Sequence, residues 1–306
     1  MSNVGSEWPA LPLQAWQDTR DTLHMYAQII GKVRLALSPM MNEWWQVPLY
    51  LTARGLGTSP IQHDQRSFDV ELDFIDHQVV FRASDGQTRT LALEPRTVAD
   101  FYDEVMRVLH AMGLDTTIHG KPVEVPDPVP FPEDRVHRAY DAHFARQHWE
   151  IVRRIDLVFK RFRARFTGKA SPVHFFWGSF NLAVSRFSGR PAPPRPGADR
   201  ITRVAYDEEV SSVGFWPGGQ GIDGPALYSY MAPEPQGFAE QRVEPAEAFY
   251  DPGLREFVLM YDVVRRARDP EDVILRFAQS TYEAGAKLAR WDRAALERPL
   301  EQLLAA

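Results

Sequence analysis

Six side chains in the second half of this sequence have the types that a small-molecule site needs: His174, Trp177, Asn181, Glu209, Trp216 and Tyr228. The first three fall within residues 172–190, the longest strongly apolar run, which embeds an imidazole, an indole and an amide among residues that want to be buried. Ser179, Arg186 and Tyr230 lie in the same aromatic surroundings. A ligand pocket has this composition, mostly apolar and aromatic with a few convergent polar groups. A packed core has it too, if its His, Asn and Ser only satisfy backbone groups. The two readings part on one observation: whether a cleft opens beside His174.

Other chemistries find less support. Ser179 stands in Trp-Gly-Ser-Phe-Asn rather than Gly-x-Ser-x-Gly, so the nucleophile elbow of a hydrolase is absent. His137, His143 and His148 are spaced by six and five residues, which does not stack them on one helix face, and no His-Glu-x-x-His occurs. No metal and no cofactor are therefore expected, a pairing of His174 with Glu208 or Glu209 being the one metal arrangement left open. Residues 214–224 are glycine-rich but lack the Lys-Ser/Thr of a phosphate loop and the helix that follows a dinucleotide fingerprint. They read as a hairpin loop, a candidate flap over the aromatic strands.

Between Arg153 and Lys169 stand seven cations and one acid, Asp156. A phosphate-binding helix has this pattern, and so does a solvated helix face near a helix C-terminus. The net charge of −6 favours the second reading and no nucleic-acid partner. Without Cys there are no disulfides, no thiolate catalysis and no Cys-ligated metal, which fits a reducing cytosol. The N-terminus lacks a basic and then apolar leader, and no run approaches the ~20 apolar residues of a membrane span. A cytoplasmic protein with no membrane partner is expected.

The elements that must position these residues follow from periodicity. Apolar residues at three- and four-residue steps predict helices over 13–37, 97–112, 136–166 and 270–291. Alternation predicts strands over 47–53, 67–75, 78–83, 88–93, 209–216, 226–231 and 256–261, with Asp85-Gly86 as a hairpin signal. Residues 173–187 read as a central strand covered on both faces, longer than usual or bent at Gly178. On a straight strand Arg186 would share the face of His174 about 40 Å away, which assigns it to a structural ion pair rather than to the site. Residues 122–134, with five prolines, form an extended connector between an N-terminal half, 1–121, and a C-terminal half, 135–306. Each half reads helix, antiparallel strands, helix. The fold class is α+β, antiparallel sheets covered by long helices, either as two rhyming halves or packed as one domain.

Five blocks carry a resemblance: Val-Pro-Leu-Tyr-Leu-Thr-Ala-Arg-Gly-Leu (47–56), Ser-Pro-Val-His-Phe-Phe-Trp-Gly-Ser-Phe (171–180), Arg-Phe-Ser-Gly-Arg (186–190), Gly-Phe-Trp-Pro-Gly (214–218) and Gln-Ser-Thr-Tyr-Glu-Ala (279–284). Over nearly its whole length the chain resembles a bacterial family of unknown function. The resemblance implies no activity. Against its pattern this chain has Asn181 in place of an Asp and Glu208 in place of a His, which weakens any acid–base mechanism written through those positions. The leading expectation is a protein that binds a small organic ligand around His174, whether or not it then transforms it. The competing class is a structural or interaction protein with a packed aromatic core and helix 153–169 as its partner surface.

Overall fold

A computed structural model describes residues 8–219 and 221–298. Helix α1 (Leu13–Leu37) matches its predicted bounds, entered from Pro12 and ended where the Ser38 amide caps Arg34. It is buried on more than its apolar side. His24, Gln28 and Lys32 recur at four-residue steps, form one polar stripe, and are all buried. The stripe binds backbone. Lys32 Nζ donates to the Lys121 carbonyl at 2.8 Å, and Gln28 both donates to the Val123 carbonyl and accepts from its amide. His24 Nε2 lies 2.9 Å from the Gly178 carbonyl. The start of the proline connector and a turn of the C-terminal half are thus held to one helix.

The first sheet holds β1 (Tyr50–Leu51), β2 (Gly55–Gly57), β3 (Ile61–His63), β4 (Arg66–Asp73), β5 (Gln78–Ala83) and β6 (Thr88–Ala92). Its order is β1-β2-β4-β5-β6, with β3 also pairing β4, and every pairing is antiparallel. The predicted strand over 47–53 shrinks to β1, because Trp44 to Val47 form a tight turn instead. Helix α2 (Val98–Ala111) starts where the Thr97 side chain accepts from the Asp100 amide. Helix α3 (Ala142–Ala164) begins later than predicted, at the cap Asp141, whose carboxylate accepts from the His143 and Phe144 amides.

The second sheet holds β7 (His174–Phe176), β8 (Asn181–Pro191), β9 (Glu208–Trp216), β10 (Ala226–Ala232), β11 (Phe249–Asp251) and β12 (Glu256–Met260), in the antiparallel order β11-β12-β10-β9-β8-β7. A short helix, α4 (Arg200–Ala205), stands between β8 and β9, and α5 (Tyr261–Arg266), α6 (Pro270–Leu288) and α7 (Arg293–Leu296) follow the last strand. Helices α3 and α6 pack on the face that carries Leu182, Val184, Val213 and Phe215. One continuous apolar core runs from Trp8 to Trp291 through both sheets. Leu49 and Phe175 exchange two backbone hydrogen bonds across the junction.

The stretch expected to be one covered strand is two. The chain reverses through residues 177–180, and β7 folds back on β8 with His174 opposite Ala183 and Phe176 opposite Asn181. Phe180 takes a left-handed φ of 56°, a conformation that costs a bulky residue of order 1 kcal/mol or more and needs firm surroundings. It has them: the ring is 2% exposed, among His24, His148 and Phe175. Trp177, 4% exposed, donates its indole N–H to the Val47 carbonyl at 2.8 Å. The reversal also changes sides. Even-numbered residues of β7 and odd-numbered residues of β8 face together, so Arg186 points away from His174, into the layer of α3 and α6.

Truncating Trp177 or Phe180 to Ala should therefore cost about 3–5 kcal/mol. Urea denaturation checks it; an unchanged midpoint for Phe180→Ala would show that the turn does not need its ring.

Candidate functional site

The face of the second sheet turned away from α3 and α6 is covered only in part, where Phe187 and Val210 pack with Trp45, Tyr206 and Tyr230. It floors a cleft of about 750 Å³. His174 and Phe176 come from β7; Asn181, Ala183, Ser185 and Phe187 from β8; Ser212 from β9; Tyr228 and Tyr230 from β10. The opposite wall is built by Lys32 of α1, Trp44 and Trp45 after it, and Glu124 of the connector. Helix α4 stands at the edge with none of its residues buried; Ile201 is 59% exposed, and its carbonyl accepts from the Trp44 indole at 3.2 Å.

Of the six expected site residues, His174, Trp177, Asn181 and Tyr228 line this cleft, and Glu209 and Trp216 do not. Strand alternation explains Glu209: Val210 and Ser212 face the cleft, so Glu209 faces away, where it accepts from Arg190, Ser188 and the Trp291 indole. Trp216 sits on the far side of the 177–180 turn, in a smaller cavity of about 260 Å³ with Arg20, His24 and Phe180. Ser179 lines both cavities. The glycine-rich loop borders that smaller cavity through Pro217 and Gly218, where Arg20 donates to the Gly218 carbonyl, and none of its described residues lines the larger one.

Arg186 is structural, but among the described residues it makes no ion pair. It is fully buried, its guanidinium lies over the rings of Phe162, Tyr282 and Phe166, and it donates to the Phe162 carbonyl. Burial lowers its pKa to about 9, so it stays cationic at neutral pH and is held by cation–π contacts. Six of the seven cations of the basic stretch, on α3 and just after it, are likewise occupied by the same chain. Lys160 pairs with Asp156, Arg161 with Glu271, Arg163 donates to the Ser171 carbonyl, and Lys169 bridges Glu43 and Glu208. Arg153 and Arg154 lie over Trp149 and Trp8.

Within the cleft the polar groups form two sets. The first is a chain across three elements: Ser179 Oγ donates to Asn181 Oδ1 at 2.5 Å, and Asn181 Nδ2 donates to the Tyr228 hydroxyl. Tyr228 and Asn181 belong to β10 and β8, with β9 between them, so the phenol ring must lie across β9. It lies over Gly214, where any Cβ would overlap the ring. At the other end stands Glu124, whose pKa is raised by burial and lowered again, less, by the Ser179 hydroxyl. A Cβ at Gly178 would meet the tip of the Glu124 side chain. Glu124 was not legible as a site residue. Its one signal is an acid set between two valines of the proline-rich connector.

The second set is His174 alone. It is 1% exposed, ringed by Trp45, Tyr50 and Phe176, and neither ring nitrogen has a hydrogen-bond partner. Both ring nitrogens are thus shielded from bulk water. Burial, with the nearby Arg34 and Arg163 charges, lowers its pKa to about 3. At neutral pH it presents one donor and one acceptor. Among the described residues no cluster of three His, Asp or Glu could hold a metal ion, and no helix is long and apolar enough to cross a membrane.

The chain belongs to a family of unknown function, DUF5996, whose model matches residues 8–298. No curated protein and no solved structure matches it.

Three buried imidazoles make stability depend on acid. Burial lowers His24 to about 4, and His148 and His174 to about 3, against 6.5 in an unfolded chain. Below 6.5 the unfolded state binds more protons than the folded one. Stability that is full above 6.5 is therefore lost as pH falls toward the folded values. Each histidine costs about 2 kcal/mol by about pH 5, at about 1.4 kcal/mol per pH unit. Urea midpoints should fall between about pH 7.5 and about pH 5, and less steeply in His148→Leu. A midpoint flat over that range would show that the imidazoles protonate inside the fold.

Proposed function

We propose that the protein binds a small, largely apolar and uncharged organic ligand in the cleft on its second sheet. One observation carries this reading: His174 is buried in the cleft wall with both ring nitrogens unsatisfied. An unmade hydrogen bond on a buried polar group costs about 1–3 kcal/mol, and a bound ligand that pairs with the imidazole recovers it. The size fits, since pockets for drug-sized ligands span about 300–1,000 Å³. The walls are the flat faces of Trp45, Phe176 and Tyr230, which suit a planar ligand.

Charge narrows the class. Lys32, the one cation in the lining among the described residues, spends its charge on the Lys121 carbonyl and over the Phe131 and Trp177 rings. Glu43 is bridged by Lys169. An anionic ligand would find no cation ready to pair with it and would lie near Glu124 and Asp199. The reading includes no nucleic-acid partner, because the cations of α3 are taken up by carboxylates, carbonyls and rings of the same chain. Binding without chemistry and binding followed by chemistry are both compatible with this site.

A ligand-observed NMR screen of neutral aromatic fragments tests the reading. Hits should lose about tenfold or more in affinity in His174→Ala, equal to about 1.4 kcal/mol. Arg186→Ala should instead lower the unfolding midpoint while folded protein keeps its affinity. Hits that bind His174→Ala as well as the unaltered protein would remove the cleft from consideration.

A further inference from the structure

The pairing register sets four residues in one row across the second sheet. His174 of β7 stands opposite Ala183 of β8, Ala183 opposite Gly214 of β9, and Gly214 opposite Tyr228 of β10. Residues paired in this way point to one face, and His174, Ala183 and Tyr228 all line the cleft. The two middle members are the smallest residue types there are. In the next row Ser185 and Ser212 are again small, and Tyr230 closes it as Tyr228 closes the first. The floor is therefore low over β8 and β9, with an imidazole on one side and phenols on the other. Both sides hold polar atoms with capacity to spare. Neither His174 nitrogen has a partner, and Asn181 takes only one position on the Tyr228 oxygen, which can both donate and accept. We propose that the cleft selects a neutral arene with polar groups at opposite (para) ends of its ring, lying on Ala183 between His174 and Tyr228.

This preference rests on the reading of the cleft as a ligand site, and the length of the row decides its class. Neighbouring strands lie about 4.8 Å apart. Tyr228 leans over β9, since a Cβ on Gly214 would overlap its Cζ and hydroxyl. The hydroxyl thus stands over the second strand from β7, about 10 Å from the His174 backbone. A benzene ring with para oxygens, and a hydrogen bond at each, spans about 11 Å. A ring with one polar group reaches one partner and leaves the other unpaired. Meta groups aim their hydrogen bonds off a common line, so they cannot serve both ends of a straight row. Ala183 matters because the ring must lie low enough to meet both partners. A larger side chain there would lift it.

The test uses 4-hydroxyacetophenone, its meta isomer, and two compounds that each lack one polar group, acetophenone and 4-ethylphenol. Dissociation constants come from NMR titration of folded protein at about pH 6, where phenols are neutral. The unaltered protein should bind 4-hydroxyacetophenone about tenfold more tightly than the other three. In Tyr228→Phe one of the two single-group compounds should bind as tightly as 4-hydroxyacetophenone, and in His174→Leu the other should. Ala183→Val should weaken 4-hydroxyacetophenone by about tenfold. Equal binding of the para and meta isomers overturns the proposal. So does the same compound drawing level in both variants, or an unchanged affinity in Ala183→Val. Equal binding of all four compounds, weakened by Ala183→Val, overturns it but leaves the cleft as a ligand site. Binding of none overturns the cleft reading, and this one with it.

Discussion

The cleft exists because of the polar stripe on α1. Connector residues 121–123 and the 177–180 turn meet on one helix face, and backbone groups buried at such a junction must find partners. Lys32, Gln28 and His24 supply them at successive turns, to the carbonyls of Lys121, Val123 and Gly178. An apolar stripe would have packed against those segments but left their carbonyls unsatisfied, at about 1–3 kcal/mol each. With both segments pinned, Glu124 and Ser179 are brought side by side. The sheet face beyond them lines the cleft.

How far the sequence was legible follows from which interactions are local. Helix α1, helix α2 and the hairpin β5–β6 stand where periodicity, the Thr97 cap and Asp85-Gly86 place them, because each is decided by neighbours in sequence. The apolar run from Val173 to Phe187 gave the right composition and the wrong continuity. Period two holds on both sides of Gly178 whether or not the chain reverses there, and what favours reversal is non-local: Val47 accepting from Trp177 and α1 holding Gly178. Once the chain reverses, faces that a straight strand separates come together, which is why His174 and Asn181 share a cleft and Arg186 leaves it. Glu209 was misplaced for a simpler reason. Its facing depends on register against β8, which alternation within β9 alone does not fix.

Buried polar residues are the hardest to read, because one residue type serves opposite ends. His148 and His174 are equally buried, both are held neutral, and neither makes a hydrogen bond. His148 lies on Phe180 at 5.2 Å and is tilted against Trp16 at the same distance, in the layer between α1 and α3. Nothing can reach it there without unpacking the core, so its cost is a fixed charge on stability. His174 differs only in having space beside it, and the same cost becomes an affinity held in reserve for whatever fills that space. The distinction between core and site lies in the neighbouring volume, not in the imidazole.

The same reasoning bears on Gly214. Its φ is not in the left-handed region, so no turn requires a glycine there. In the middle of β9 it weakens the strand by roughly 0.5–1 kcal/mol. What the sheet gains is the passage of the Tyr228 ring across β9 to Asn181, two strands away. A core built only for stability would place a side chain on β9 and turn Tyr228 aside. A strand that gives up a side chain so that a phenol can reach an amide at the edge of an open cleft has been shaped by the polar chain rather than by packing.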